Sequence, residues 1–590
     1  MEAENNYREG KYSSSRMKEA WKIRVAVGAA VLVLIIIAII VAVVVTSAKK
    51  TDGSMAVASD NDVCTRIGAD ILKDGGSAVD ATIATLLCLG AVQPQSNGIG
   101  GGGFMLVHTK SEDKVINFRE RAPAGATKDM FEGNSDAAKT GGLATAVPGE
   151  ILGYSTAHKM YGKLKWKDLF TPTIKILRSG IEVSSHMEMC LRSLKEILIQ
   201  DKNFESTFFN TEGDAESYKR AGEMFTNKMM ADAYEKISED GPDAFYKGDI
   251  AQNIVDATQA RGGILTLDDL TNYEVTIDEP FKFEYRGQKI ISAPPPASGH
   301  VIALALQILD EFEISTFSPL KAWNYIIEAM RFGYAMRSRT GDPLFSTQTA
   351  GVVESVQDKT YKAKLIADHF TDQDPLHPFK DINEYISPFY GNEDGHRTTH
   401  VSVLGPEGEA VACTSTVNLW FGARVMTDDG IVMNNEMDDF SSPDFTNAFG
   451  YQPSPENYIE PNKRPLSSSS PSIVFNSAGE ATFVTGAAGG SRIISSTLQS
   501  LINALDWKMA LNDNLKAARI HDQLENGKTW YEVLDFITPL NPSALDGLRY
   551  LEYNMTAREG VTSVVTSVSK LREETEAAGD PRKQGTGIVI

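Results

Sequence analysis

"GHRTTHVSVLG", residues 395–405, decides how the rest of the chain is read. In an extended chain Thr398, His400 and Ser402 face one way, and Thr399, Val401 and Val403 the other. That period-2 alternation predicts a half-buried strand. A strand that opens on two bare threonines has two explanations. Threonine is β-branched and favours strands. Alternatively the chain is cut here, and a threonine becomes a new N-terminus and a nucleophile.

Outward from this segment, β runs and helical patterns are mixed. FMLVHT (104–109) and KVINFRE (114–120) predict a hairpin, and EPFKFEYRGQKIISA (279–293) a strand-like break in a mostly helical region from about 150 to 390. After residue 398 come VACTSTVNLWFG and PSIVFNSAGEATFVTGA, then the helical STLQSLINALDW. The pattern is α/β (α+β), with the chemistry concentrated in the C-terminal third.

The net charge of −21 excludes a general nucleic-acid binder, whose footprint is a basic patch. Val25–Val45 carries no charge, and as a helix it spans roughly 30 Å, the thickness of a bilayer core. A cleaved signal peptide is the alternative, although its apolar region is usually shorter. Arg8, Lys11, Arg16, Lys18, Lys22 and Arg24 precede the span, which places the tail in the cytoplasm and the rest outside. The divisions expected are a cytoplasmic tail (1–24), a transmembrane signal-anchor (25–45), a stalk (46–59) and an ectodomain from 60 onward, a single-pass type II protein of the plasma membrane. Outside the cell a disulfide is allowed. A helix over 62–73, a turn at Gly75-Gly76 and a second helix capped by Ser77 bring Cys64 and Cys88 to the same end of a helical hairpin. Cys190 and Cys413 read as buried thiols rather than a second pair. Asn554-Met555-Thr556 is a glycosylation sequon.

Several motifs have a bland reading beside a functional one. GIGGGGF (98–104) contains G-x-G-x-x-G, but it follows a helix and opens a strand, which rules out a dinucleotide fingerprint and leaves close backbone packing or a tight turn. His396 and His400 have the spacing of a zinc pair, yet in extended chain they stand roughly 13 Å apart, so no metal is expected. NNEMDDF (434–440) is either a solvated turn or a binder of a substrate ammonium. PLSSSSP (465–471) is a flexible loop or part of a site, and GAAGGSR (486–492) offers backbone N–H groups to an anion.

The order of the motifs is more telling than any one of them. VINFRERAP, GLATAVPGE, LTLDDLTNY, APPPASGHV, TTHVSV, TSTVNLWFG, NNEMDDFSSP, PLSSSSP, GAAGG and DPRKQG together resemble the γ-glutamyltranspeptidases (glutathione hydrolases) of the membrane-anchored animal type, from Ala56 to the C-terminus. The resemblance implies an N-terminal-nucleophile hydrolase, a four-layer αββα sandwich cut by itself into a large subunit (60–397) and a small subunit (398–590). It implies Thr398 as nucleophile, with Thr399 its rival, and Thr416 as the residue supporting its hydroxyl. Arg119, helped by Ser467 and Ser468, would take the α-carboxylate of a γ-glutamyl group, and Asn418, Glu436 and Asp439 its α-ammonium. Gly489 and Gly490 would supply the oxyanion hole. The substrates implied are glutathione and other γ-glutamyl compounds, with water, amino acids or dipeptides as acceptors and no cofactor. Trp420 departs from the tyrosine of animal members. The rivals are an acylase of the same fold acting on another amide, and an inactive ectodomain.

Overall fold

The computed structural model describes residues 54–370, 375–388, 397–443, 453–525 and 527–590, the Arg397 side chain excepted. The tail, the apolar span 25–45 and most of the expected stalk lie outside the described residues. Among the described residues no helix is long and apolar enough to cross a membrane.

Two antiparallel sheets form the centre. The first runs β18 (Thr586–Val589), β1 (Ala56–Ser59), β9 (Arg397–Leu404), β10 (Ala410–Asn418), β2 (Gly102–His108), β3 (Asp113–Asn117) and β6 (Thr276–Asp278). The second runs β17 (Glu576–Gly579), β16 (Val564–Ser569), β12 (Ala481–Ala488), β11 (Ser472–Phe475), β8 (Gln288–Ser292) and β7 (Phe281–Tyr285). The smaller sheets, β4–β5 (Ile181–Glu182, Met224–Phe225) and β13–β14–β15 (Ile520–His521, Lys528–Val533, Asn554–Glu559), lie outside this pair.

Three apolar layers follow from the alternation of each strand. Leu404, Ala412, Phe104 and Leu106 of the first sheet meet Ile291, Ile473, Val484 and Val568 of the second. Val401, Val403, Val411 and Met105 point the other way, into the large helical layer. Val474, Phe483, Ala487 and Val565 pack beneath the helices Gly299–Leu309, Pro319–Arg337 and Arg492–Leu505. The result is helices, sheet, sheet, helices.

Two expectations change here. Residues 56–59, expected as stalk, form β1, a fully buried strand hydrogen-bonded between β18 and β9. Ala-Val-Ala-Ser is short and only mildly apolar; its burial comes from strands at the far end of the chain. β9 is not half-buried but buried on both faces. Its polar face is the seam between the sheets, where His400 shares hydrogen bonds with Thr414 (2.8 Å) and Ser402 (3.2 Å), and Thr566 donates to the His400 carbonyl (2.9 Å). Polar residues on a strand normally mark a wet face; here hydrogen bonds replace the water. Gly486 lies against the imidazole, since a Cβ there would come within 2.2 Å of the ring.

The helical hairpin matches its expected course. Asp62–Lys73 is capped by Asn61 and Ala78–Val92 by Ser77, and Cys64 and Cys88 are joined in a disulfide. Cys190 and Cys413 are buried outside any disulfide. The 104–120 hairpin is β2–β3, and 279–293 is the hairpin β7–β8.

Candidate active site

The site opens at the start of β9. Thr398 pairs with Thr416 across the β9–β10 ladder, and its hydroxyl donates to Thr416 Oγ1 at 3.3 Å. Thr399 points to the opposite face and donates to Asp60 Oδ2 at 2.9 Å. The alternation of a strand therefore separates the two rivals, and Thr398 alone of the pair lines the cleft. A β-bulge between Thr416 and Asn418 ends the ladder, and Asn418 takes a left-handed conformation (φ +69°). Its N–H donates to Thr416 Oγ1 (2.8 Å) and its amide nitrogen to the Asn435 carbonyl (3.1 Å).

The cleft, about 590 Å³ including its open mouth, collects residues from distant segments: Arg119, Thr398, Thr416, Asn418, Glu436, Asp439, Ser467, Ser468 and Gly490 all line it. Gly489 sits one residue behind, at the turn from β12 into the helix Arg492–Leu505. There its φ of +132° and the Thr562 carbonyl, 2.5 Å from where a Cβ would stand, both require glycine.

The far end of the cleft is charged. Arg119, 1% exposed, donates to the carbonyls of Pro465 (3.2 Å) and Leu466 (3.1 Å) and pairs with Glu436 and with Asp439 (2.5 Å). Glu120 approaches the same guanidinium at 3.6 Å. Three carboxylates thus surround one cation. Burial pushes the Glu120 carboxyl up to about 7 and raises Glu436 well above the usual range, while Arg119 opposes both. Asp438, beside Asp439, is also raised to about 7, by burial first.

NNEMDDF is therefore no solvated turn. Asn434, Asn435 and Glu436 are buried. Asn434 holds the loop in place, donating to the carbonyls of Gly100 and Ala146 and accepting from Ala146 and Glu436 N–H groups. PLSSSSP is likewise mostly buried, with Ser467 N–H donating to Pro296 (2.7 Å). The glycine run 100–103 packs backbone on backbone: a Cβ on Gly101 would stand 2.0 Å from the Thr416 carbonyl, and one on Gly103 2.1 Å from that of Thr414. His400 is fully buried, and burial pushes its imidazole down to about 3. His396 lies outside the described residues, and among the described residues no group of histidine, cysteine and acidic side chains could hold a metal.

Glu120 and Arg337 were not among the residues expected from the sequence. Arg337 donates to Ser468 Oγ (3.3 Å) and to Ser298 Oγ (3.3 Å), giving the cleft a second guanidinium. It sits at the end of a long buried helix, where nothing in the local pattern marks it. Glu120 is adjacent to Arg119, and that adjacency was the available signal. Trp420 packs, partly buried, against the helical core and does not line the cleft. Asn554 is exposed at the start of β15.

The model of the γ-glutamyltranspeptidase family matches residues 64–590. The chain belongs to that family. A glutathione hydrolase proenzyme of Arthroderma benhamiae is 38% identical over 564 residues, covering 91% of this chain and 93% of the relative. Among solved structures, the γ-glutamyltranspeptidase of Helicobacter pylori is 31% identical with a TM-score of 0.50, covering 56% of this chain and 96% of that one. A cephalosporin acylase from Bacillus halodurans, 22% identical with a TM-score of 0.76, shares the fold over 91% of this chain and 95% of its own. The fold is that of the N-terminal-nucleophile hydrolases, and the chain is an enzyme of the glutathione hydrolase and γ-glutamyltransferase type.

Proposed function

We propose that this γ-glutamyltranspeptidase works through Thr398, freed as an N-terminus by cleavage between Arg397 and Thr398. The observation that carries the reading is the Thr398–Thr416 hydroxyl pair in the same cleft as Arg119, Glu436 and Asp439. Before cleavage the Thr398 nitrogen is an amide and accepts no proton. Afterwards it is an α-amine, whose ordinary pKa of about 7.7–8 suits a general base. Thr416 Oγ1 holds the nucleophilic hydroxyl at the end of the ladder.

A γ-glutamyl group brings one carboxylate and one ammonium to the far end. Its α-carboxylate takes Arg119, with Ser467 and Ser468, and its α-ammonium takes Glu436, Asp439 and Asn418. The cluster of three acids around one arginine is preorganised for this exchange, because the ammonium replaces the guanidinium that Glu436 and Asp439 give up. Attack of the Thr398 hydroxyl on the γ-carbonyl, its proton passing to the α-amine, places the oxyanion at the Gly489 and Gly490 N–H groups. Collapse breaks the amide, the departing amine takes that proton, and a γ-glutamyl ester remains on Thr398. Water then releases glutamate, or an amino acid or dipeptide accepts the group. The same acids argue against an acylase for a side chain lacking the ammonium, because a plain dicarboxylate would leave them unpaired. We further assign residues 25–45 as a membrane anchor that places the enzyme on the outer face of the plasma membrane, and Asn554 as a glycan acceptor.

N-terminal sequencing of the smaller chain from purified protein tests the cleavage. A start at Thr398 is expected. A start at Thr399, or a single uncut band in active protein, defeats the assignment.

A further inference from the structure

On the far side of the Gly489 turn lies a second, shallow pocket, about 260 Å³ including the solvent at its open mouth, that the proposed reaction does not use. It is lined by Arg492, Arg519 and Arg558, with Trp530, Ser496 and Glu532 among the remaining wall residues. Glu532 is the one acid in that lining, and its carboxylate is already committed. It pairs with Arg582 (2.7 Å) and accepts from the Thr562 hydroxyl (3.0 Å) and the Arg519 N–H (3.2 Å). Arg519 and Arg582 share Asp580 at 2.6 and 3.1 Å. Trp530 Nε1 is buried and, among the described residues, has no hydrogen-bond partner. The Arg558 guanidinium stacks over the Trp530 ring at 5.1 Å and is otherwise exposed. Arg519 and Arg582 are offset by Asp580 and Glu532, and the Arg519 guanidinium also donates to the Ser563 and Leu515 carbonyls (3.2 Å each), so it is the exposed Arg558 guanidinium over Trp530 that sets the sign at the mouth. With the unsatisfied Trp530 N–H beside it, that surface suits negative charge, in a protein whose overall charge repels it.

Its position gives it a route to the active site. Thr562 and Ser563 line the pocket on one side and press against Gly489 on the other, the Thr562 carbonyl and Ser563 Cα lying 2.5 and 2.8 Å from a Cβ built on that glycine. Arg492 lines the pocket, and its N–H donates to the Gly489 carbonyl (3.2 Å). We propose that this pocket binds a small anion of the phosphate or carboxylate class, which regulates turnover by biasing the Gly489–Gly490 turn. The binding stands on the pocket alone; the effect on turnover rests on the oxyanion role proposed for that turn.

Inorganic phosphate, compared with chloride at matched ionic strength, is the probe, applied to the full-length protein and to Arg558→Gln and Trp530→Phe. The expected result is a raised thermal midpoint and a several-fold change in kcat at constant KM, both lost in the two variants while their phosphate-free activity is retained. Three results overturn the binding: no stabilisation across the millimolar range, stabilisation equal in wild type and variants, or a rise in KM alone, which would place phosphate on Arg119. Variant-sensitive stabilisation with kcat unmoved retains the pocket as an anion site and overturns its link to the Gly489 turn.

Discussion

The two ends of the proposed catalytic cleft are held by different forces. At the end assigned to the nucleophile, Thr398 and Thr416 are placed by backbone register in the middle of a sheet, and the proposed chemistry rides on a ladder that exists for structural reasons. At the clamp end, Arg119, Glu120, Glu436 and Asp439 come from two loops and are held by one another's charge. A residue placed by a ladder can be replaced without disturbing the scaffold. One placed by buried charge cannot, because removing one partner strands the others.

The largest effect expected of this contrast is chemical. Thr398→Ala should fold normally but remain uncut and lose at least about 10³-fold in kcat, while Thr399→Ala should still be cut at the 397/398 bond. A cut and active Thr398→Ala protein would end the assignment. Arg119→Gln is next, and it should strike both function and fold. KM for γ-glutamyl substrates should rise by the equivalent of about 1.5–3 kcal/mol, and chemical denaturation should report a loss of up to about 3–5 kcal/mol. That loss should shrink at acidic pH, where Glu120 and Glu436, already raised by burial, take up protons. A variant with unchanged stability at neutral pH would show that the clamp is not held by charge.

The third test concerns the sheet seam. Burial pushes His400 in the seam, and also His300 in the first turn of the helix Gly299–Leu309, down to about 3, so the folded protein holds them neutral where the unfolded chain, at about 6.5, protonates them. Their contribution is therefore complete above about pH 6.5 and lost as pH falls towards 3, at up to about 1.4 kcal/mol per pH unit for each. His400→Gln should flatten that acid slope relative to wild type. The same variant should keep the acidic limb of kcat/KM near pH 6–8, since an imidazole at about 3 cannot supply it. Glu120 and Asp438, both at about 7, are the competing sources, and Glu120→Gln and Asp438→Asn should each keep the limb if the Thr398 amine is the base. The smallest effect is at the surface, away from the cleft: Asn554→Gln should remove a glycan-dependent gel shift and alter stability by less than about 0.5 kcal/mol.

Local pattern carried some of this molecule a long way. The alternation in TTHVSV separated Thr398 from Thr399, the caps of the first two helices brought Cys64 to Cys88, and the hairpin of 104–120 was visible as two runs about a turn. The same alternation misled where burial was concerned, because it cannot tell a wet face from a polar seam between two sheets. β1 escaped notice for a related reason: four unremarkable residues become a central strand only when residues 586–589 and 402–404 arrive on either side. Arg337 carried no signal at all, since its role depends on Ser468, 131 residues away in sequence.

What the sequence by itself determined was therefore periodic or consecutive: the strand faces, the helix caps, the glycine run and the order of motifs. These follow from backbone geometry, which repeats over two to four residues and is written into neighbouring side chains. Only the tertiary structure decided that most of NNEMDDF is buried, that Glu120 joins Glu436 and Asp439 around Arg119 and that arginines gather behind Gly489. Those outcomes depend on which charges share a low-dielectric space, and Coulomb energy follows distance in space rather than along the chain.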